Sequence, residues 1–172
     1  IEMRGGKLNT GILGTKYLWP MLVKYGREEL AFQLATQNNY PGYGYWIENN
    51  MTTFPEQWDG SGSKNHQMFG SVVEYFYKQL AGIQAPTDGL TSVGYQDIYI
   101  QPYVPDGLDY LNTTYETVAG EIGSTWKKED NSFLFTVTIP ANTYATVSLP
   151  LFNYNEAIVW EGDQIIWENN CV

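Results

Sequence analysis

The sequence predicts a helical region followed by a region of β-strands. From residue 12 to residue 83, apolar residues recur at steps of three and four, which is the period of an amphipathic helix. From Phe133 onwards, apolar residues recur at steps of two, which is the period of a half-buried strand. The turn-forming run Ala85-Pro86-Thr87-Asp88-Gly89 lies between the two patterns. We therefore assign residues 1–85 to a helical domain and residues 86–172 to a β domain.

Three helices are predicted in the first region. The first carries the apolar series Ile12, Leu13, Tyr17, Leu18, Met21, Leu22 and Tyr25. Gly26 then stands where a C-terminal cap is expected. The second helix runs from about Arg27 to Thr36, with Glu28 and Glu29 in its first turn, where the helix dipole favours negative charge.

The third helix has the clearest apolar stripe. Its members are Phe69, Val72, Val73, Phe76 and Leu80. Ser63 or Asn65 is a candidate N-terminal cap, and Gly82 is a candidate end. Because three helices do not complete a bundle, we expect them to be the closing section of a larger helical domain.

Residues 37–65, between the second and third helices, follow neither period. The stretch contains Asn39-Tyr40-Pro41-Gly42-Tyr43-Gly44-Tyr45-Trp46. Long loops within compact domains are usually functional or disordered, and disordered loops lack aromatic residues. We therefore interpret this aromatic stretch as a packed, functional loop.

Several short strands are predicted in the second region. The segment from Thr114 to Trp126 is predicted to be one strand, followed by a polar turn at residues 127–131. Alternation predicts further strands over residues 133–139 and 145–149, and Gly162-Asp163 predicts a hairpin. Strands at this spacing favour an antiparallel β-sandwich.

Composition and charge exclude several classes of partner. The net charge of −10 disfavours nucleic acid and anionic membrane surfaces. No window of 18 apolar residues is present, and the single cysteine, Cys171, rules out a cysteine cluster that could hold zinc. We therefore predict no cofactor and no metal site.

The aromatic stretch also holds the strongest candidate for chemistry. Glycoside hydrolysis needs two carboxyl groups, one as an acid and one as a base or nucleophile. Glu56 follows Pro55 and precedes Trp58 by two residues, and an apolar neighbour disfavours the charged form of a carboxyl. The alternative for any single glutamate is a solvated surface carboxylate.

Other residues near Glu56 are candidates for sugar contact. His66 is the only histidine and begins the third helix, where it could donate to a sugar hydroxyl, although a lone histidine is more often structural. Trp58, Asp59 and Glu48 join it as candidate substrate-binding residues. Aromatic residues form 16% of the chain and suit either sugar stacking or an ordinary core.

Five segments in order resemble the bacterial α-L-rhamnosidases. They are Leu8-Asn9-Thr10-Gly11-Ile12-Leu13-Gly14-Thr15-Lys16-Tyr17-Leu18, Tyr40-Pro41-Gly42-Tyr43-Gly44-Tyr45-Trp46-Ile47-Glu48, Thr52-Thr53-Phe54-Pro55-Glu56-Gln57-Trp58-Asp59-Gly60, Asn65-His66-Gln67-Met68-Phe69-Gly70-Ser71-Val72 and Ile139-Pro140-Ala141-Asn142-Thr143. The resemblance implies the closing section of an (α/α)6 barrel followed by a β-sandwich. It also implies an inverting hydrolase acting on a rhamnose-containing glycoside.

The resemblance further implies roles for single residues. Glu56 matches the family's general base, and His66 matches a histidine that contacts the sugar. Many members carry Trp where this chain has Pro55, so we expect the pocket wall, and with it the aglycone preference, to differ from theirs. The family's general acid belongs to a segment with no match here, so the remainder of the catalytic domain is required and the isolated chain is expected to be inactive.

Three other interpretations remain open at this point. Another (α/α)6 carbohydrate-active enzyme could use the same loop for a different sugar. A non-catalytic carbohydrate-binding or structural module could use the aromatic residues for recognition alone. The chain could also be a fragment without a separate role.

Overall fold

A computed structural model describes residues 5–86, 93–130, 132–150, 152 and 156–170. It confirms the predicted order of a helical part followed by β structure. The helices are α1 (Ile12–Lys24), α2 (Glu28–Thr36), α3 (Tyr43–Glu48) and α4 (Ser71–Tyr75). A 3₁₀ turn over Gln67–Gly70 leads into α4, and a π-helical turn over Phe76–Leu80 continues it.

The apolar series predicted for α1 divides between two faces. Trp19 and Thr15 are buried, and Leu18 and Leu22 pack against the same core. A second set points outward and is largely exposed: Leu13, Tyr17, Met21 and Tyr25. Gly26 has a φ of +66°, the left-handed conformation expected just after a helix. Both faces of α1 are therefore apolar, and the described residues cover one of them.

Two details of the helical prediction are wrong. The stretch over residues 37–65 is not wholly irregular, since α3 forms within it and buries Tyr43 and Trp46 in the core. The predicted third helix is observed as residues 67–80, which comprise the 3₁₀ turn, α4 and the π-helical turn and which we call the α4 segment. Neither Ser63 nor Asn65 caps it, and it follows His66 without any side-chain cap. Tertiary burial of aromatic rings stabilises these short elements, and local periodicity does not reveal it.

The strands form three sheets. The first contains β1 (Ile83–Gln84), β2 (Asp97–Ile100) and β6 (Tyr144–Val147); the second contains β3 (Tyr110–Thr117), β4 (Gly120–Glu129) and β5 (Ser132–Thr138); the third pairs β7 (Glu156–Glu161) with β8 (Gln164–Asn170). All pairings are antiparallel except β2 with β6, which is parallel. A parallel pair joins strands that are distant in sequence, so strand alternation could not predict it.

The β-region predictions were right about one hairpin and missed another. Residues 114–126 do not form one strand, because β3 and β4 fold back on each other. Gly120 allows this turn with a φ of +130°, and its carbonyl accepts a hydrogen bond from Thr117 Oγ1 at 2.8 Å. The predicted hairpin at Gly162 is confirmed by the pairing of β7 with β8.

The helical part contacts the sheets at the C-terminal end of the α4 segment (residues 67–80). Ser124 Oγ donates to the carbonyl of Ala81 at 2.6 Å, and Trp126 Nε1 donates to the carbonyl of Leu80 at 2.9 Å. All these groups are buried, so the hydrogen bonds fix β4 against the helix end. The domain division at residue 85 stays a prediction, and Cys171 and the Thr87–Gly89 turn lie outside the described residues.

Candidate functional site

Glu56 lies in a loop that folds back on itself, which we call the Glu56 loop (residues 54–66). His66 N donates to the carbonyl of Phe54 at 2.9 Å and closes its base. Glu56 N donates to the carbonyl of Ser63 at 2.8 Å, nearer its tip. Backbone hydrogen bonds therefore connect the outgoing and returning parts of the loop. Glu56 lies on the outgoing part and His66 on the returning part.

Glu56 is half-buried as a residue, and its carboxylate lies against the returning part of the loop. Its Oε2 accepts a hydrogen bond from Ser63 N at 3.1 Å. No described residue donates a hydrogen bond to Oε1. One oxygen is thus fixed by the loop, and the other can contact a water or a substrate.

Trp58 anchors the loop to the helical core. Its ring is 8% exposed, stacks on Trp46 at 4.6 Å and contacts Phe69 at 4.5 Å between ring centroids. Its Nε1 donates to the carbonyl of Thr10 at 2.7 Å, and its own carbonyl accepts from Trp46 Nε1 at 2.7 Å. The faces and the polar edge of Trp58 are therefore already in contact with protein.

His66 is half-buried at the junction between the Glu56 loop and the α4 segment. Its Nδ1 is a buried atom without a hydrogen-bond partner among the described residues. A buried polar atom without a partner is uncommon in folded proteins and marks a group that a ligand or water can satisfy. This nitrogen is a candidate donor or acceptor for a sugar hydroxyl.

The two remaining candidate residues, Asp59 and Glu48, are exposed. Hydrogen bonds from the side chain and backbone of Ser61 hold the pKa of the Asp59 carboxyl below its usual range, with a smaller contribution from Lys64. Glu48 is the last residue of α3. Within the described ranges, no side-chain hydrogen bond joins either carboxyl to Glu56.

Metal-binding clusters and membrane-spanning helices are absent from the described part of the chain. Within it, no group of three or more His, Cys, Asp or Glu side chains could hold a metal ion. None of the helices in these residues has the length and apolarity needed to cross a membrane.

The sequence reasoning missed the groups that hold Glu56 in place. They are the backbone amide of Ser63 and the small residue before it, Gly62, which has a φ of +77°. The run Gly60-Ser61-Gly62-Ser63 is a turn signal that could have been recognised. The contact between this turn and the Glu56 carboxylate could not have been recognised, because a hydrogen bond from a backbone amide to a side chain leaves no periodic pattern in the sequence.

Comparison with known proteins places the chain in a family. The family model described as the bacterial alpha-L-rhamnosidase 6 hairpin glycosidase domain matches residues 1–80. The model described as the bacterial alpha-L-rhamnosidase C-terminal domain matches residues 82–159. Together the two matches span nearly all of the chain.

Individual relatives agree with these matches. An alpha-L-rhamnosidase of Formosa agariphila is 31% identical over 87% of this chain and 16% of its own length. The structure of an alpha-L-rhamnosidase from Dictyoglumus thermophilum is 35% identical, with a TM-score of 0.79 over 94% of this chain and 18% of that one. The Streptomyces avermitilis alpha-L-rhamnosidase complexed with L-rhamnose is 30% identical, with a TM-score of 0.80 over 96% of this chain and 17% of that one.

The chain spans less than a fifth of the length of these relatives. It aligns with their C-terminal part, where the helical glycosidase domain is followed by a β domain. The helical and β regions described above correspond to those two domains. The chain therefore belongs to the bacterial α-L-rhamnosidase family.

Proposed function

We propose that this chain is the C-terminal part of an inverting glycoside hydrolase that releases terminal α-L-rhamnose from glycosides. Glu56 acts as the general base. The observation that carries this proposal is the fixed Glu56 carboxylate, which shares its loop with His66, whose Nδ1 has no hydrogen-bond partner among the described residues. The relative solved in complex with L-rhamnose supports the choice of sugar.

The chemistry follows from the position of the carboxylate. Ser63 N holds Oε2 of Glu56, so Oε1 can accept a proton from a water that attacks the anomeric carbon. Inversion also requires an acid on the other side of the glycosidic bond, roughly 6.5–9.5 Å from the base. His66 Nδ1 is proposed to bind a hydroxyl of the same sugar.

The acid is proposed to come from outside this chain. Asp59 is exposed, and its hydrogen bonds from Ser61 favour the charged form, whereas a general acid must hold its proton. Glu48 is also exposed, at the end of α3. We assign Trp58, Asp59 and Glu48 to support or line the sugar site.

The exposed face of α1 supports the need for the rest of the catalytic domain. Leu13 is 74% exposed, Tyr17 is 64% exposed and Tyr25 is 73% exposed, and the three follow the four-residue step of a helix face. Contiguous exposed apolar patches on a helix mark surfaces that pack against other protein. We propose that helices of the (α/α)6 barrel outside this chain pack against this face of α1.

The test is Glu56→Gln in the full-length protein, assayed on an aryl α-L-rhamnoside. Removing a general base is expected to lower kcat by about 10²–10⁴-fold, while the amide preserves the size of the side chain and rhamnose binding. Glu116→Gln, which changes an exposed carboxylate on β3, is the matched control. A loss of only a few-fold in kcat would remove Glu56 from the role of base.

Two further measurements separate the alternatives. Proton NMR of the first product should show β-L-rhamnose before mutarotation if hydrolysis inverts the anomeric centre. Activity on glucosides or uronides without activity on rhamnosides would point to another carbohydrate-active enzyme. Rhamnose binding without turnover in the full-length protein would point to a binding module.

A further inference from the structure

Gly62 lies directly against the side chain of Glu56. Its φ of +77° falls in the left-handed region, which side-chain-bearing residues rarely adopt. A Cβ built on Gly62 would lie 2.7 Å from Oε2 of Glu56 and 2.9 Å from its Cβ. Both distances are shorter than real Cβ contacts, so any other residue at this position would have to move the Glu56 side chain.

The next residue supplies the hydrogen bond that orients the carboxylate. Ser63 N donates to Oε2 of Glu56, and the Ser63 carbonyl accepts from Glu56 N. The Ser63 hydroxyl is used elsewhere, since its Oγ accepts from Asn65 N at 3.3 Å. The backbone of Gly62 and Ser63, and not a side chain, therefore forms the surface on which the carboxylate rests.

We propose that Gly62 is a positioning residue for the general base. Its missing side chain lets the Glu56 carboxylate reach the Ser63 amide, which fixes Oε2 and directs Oε1 toward the attacking water. The inference rests on the proposed role of Glu56. Catalytic rates depend steeply on such placement, and a shift of about 1 Å can cost about 10²-fold in rate.

The experiment uses the full-length protein and compares Gly62→Ala with Gly107→Ala. Gly107 has a similar φ of +81°, but a Cβ there would meet nothing within 4 Å. It therefore measures the cost of a left-handed alanine alone. Gly62→Ala is expected to lower kcat on an aryl α-L-rhamnoside by about 10²-fold with KM changed by less than about threefold, whereas Gly107→Ala keeps both constants. Equal kcat values for the two variants would overturn the proposal.

A double-mutant cycle tests whether Gly62 acts through Glu56. In the Glu56→Gln background, Gly62→Ala is expected to have little further effect on the residual kcat, because the base is already lost. A second loss of about 10²-fold in that background would show a separate structural effect and overturn the proposal. If Glu56→Gln alone keeps wild-type kcat, the proposed function fails instead, so the two failures are distinguishable.

A second variant covers the case in which Gly62→Ala does not fold. Asparagine tolerates the left-handed region better than alanine, so Gly62→Asn keeps the Cβ beside Glu56 with less backbone strain. The same loss in kcat at an unchanged thermal midpoint would support the proposal. Wild-type kcat in folded Gly62→Asn would overturn it.

Discussion

Trp58 combines three contacts in a single residue of the candidate site. Its ring packs against both Trp46 and Phe69, and its Nε1 donates to the carbonyl of Thr10, which lies 48 residues earlier. The sequence marked Trp58 as a candidate substrate-binding residue, and that role stays a prediction. The structure adds that Trp58 ties the segment before α1 to the Glu56 loop.

Trp58→Phe should therefore destabilise the protein as well as the site. The change removes the indole donor to the Thr10 carbonyl, which keeps only the longer hydrogen bond from Thr15 Oγ1 at 3.4 Å. It also removes part of a buried ring, and the two losses together are expected to cost about 1–3 kcal/mol. A fall in the thermal midpoint of the full-length protein would show this loss. Trp160→Phe is the control, because Trp160 is 58% exposed. Equal midpoints for the two variants would contradict the anchoring role.

At the scale of elements, α1 was predicted correctly as a helix, but the prediction did not show which parts of the protein pack against its faces. The apolar series from Ile12 to Tyr25 predicted the helix, and its observed range is Ile12–Lys24. The series also includes residues on an outer face that the described residues leave exposed. Apolar residues recur on every face of a helix that packs, so the series does not show which face is covered by which part of the protein. A helix that packs on two sides carries two such stripes.

Tyr17→Ala tests whether the outer face of α1 is covered in the full-length protein. Burial of this ring against other helices would make its removal cost about 2–4 kcal/mol, whereas loss of an exposed ring costs little. Lys16→Ala, on the same helix, controls for helix propensity. Thermal midpoints that fall only for Tyr17→Ala would support a packed face. Equal midpoints would show that the face remains open to solvent.

At the scale of the whole molecule, hydrogen bonds join the helical and β parts. Tyr103 N donates to the carbonyl of Gln79 at 2.7 Å, and Tyr103 OH donates to Glu29 Oε2 at 2.9 Å. With Ser124 and Trp126, they bind the β region to two helical segments. The β region therefore stabilises α2 and the end of the α4 segment (residues 67–80), and the α4 segment directly follows the Glu56 loop.

The 172 residues alone are expected to show no hydrolysis of an aryl α-L-rhamnoside. Glu56, the proposed base, is present, but the described residues place no second carboxyl suited to the acid role beside it. Folding of the isolated chain is to be checked by circular dichroism, so that inactivity is not confused with unfolding. Clear turnover by the folded chain would show that the acid lies within it.

The sequence alone determined the order of the parts and the family. Local periodicity predicts helices and strands because it depends on neighbours three, four or two residues away. Motifs such as Thr52-Thr53-Phe54-Pro55-Glu56 carried the resemblance that the family matches confirm. The same local information placed Glu56 and His66 in one segment of the chain.

Only the tertiary structure decided how these residues are held. It revealed α3 within the predicted loop, the turn between β3 and β4, and the parallel pairing of β2 with β6. It also placed Gly62 and the Ser63 amide against the Glu56 carboxylate. These arrangements depend on packing and hydrogen bonds between residues that no fixed spacing relates, so they emerge only when the chain is folded.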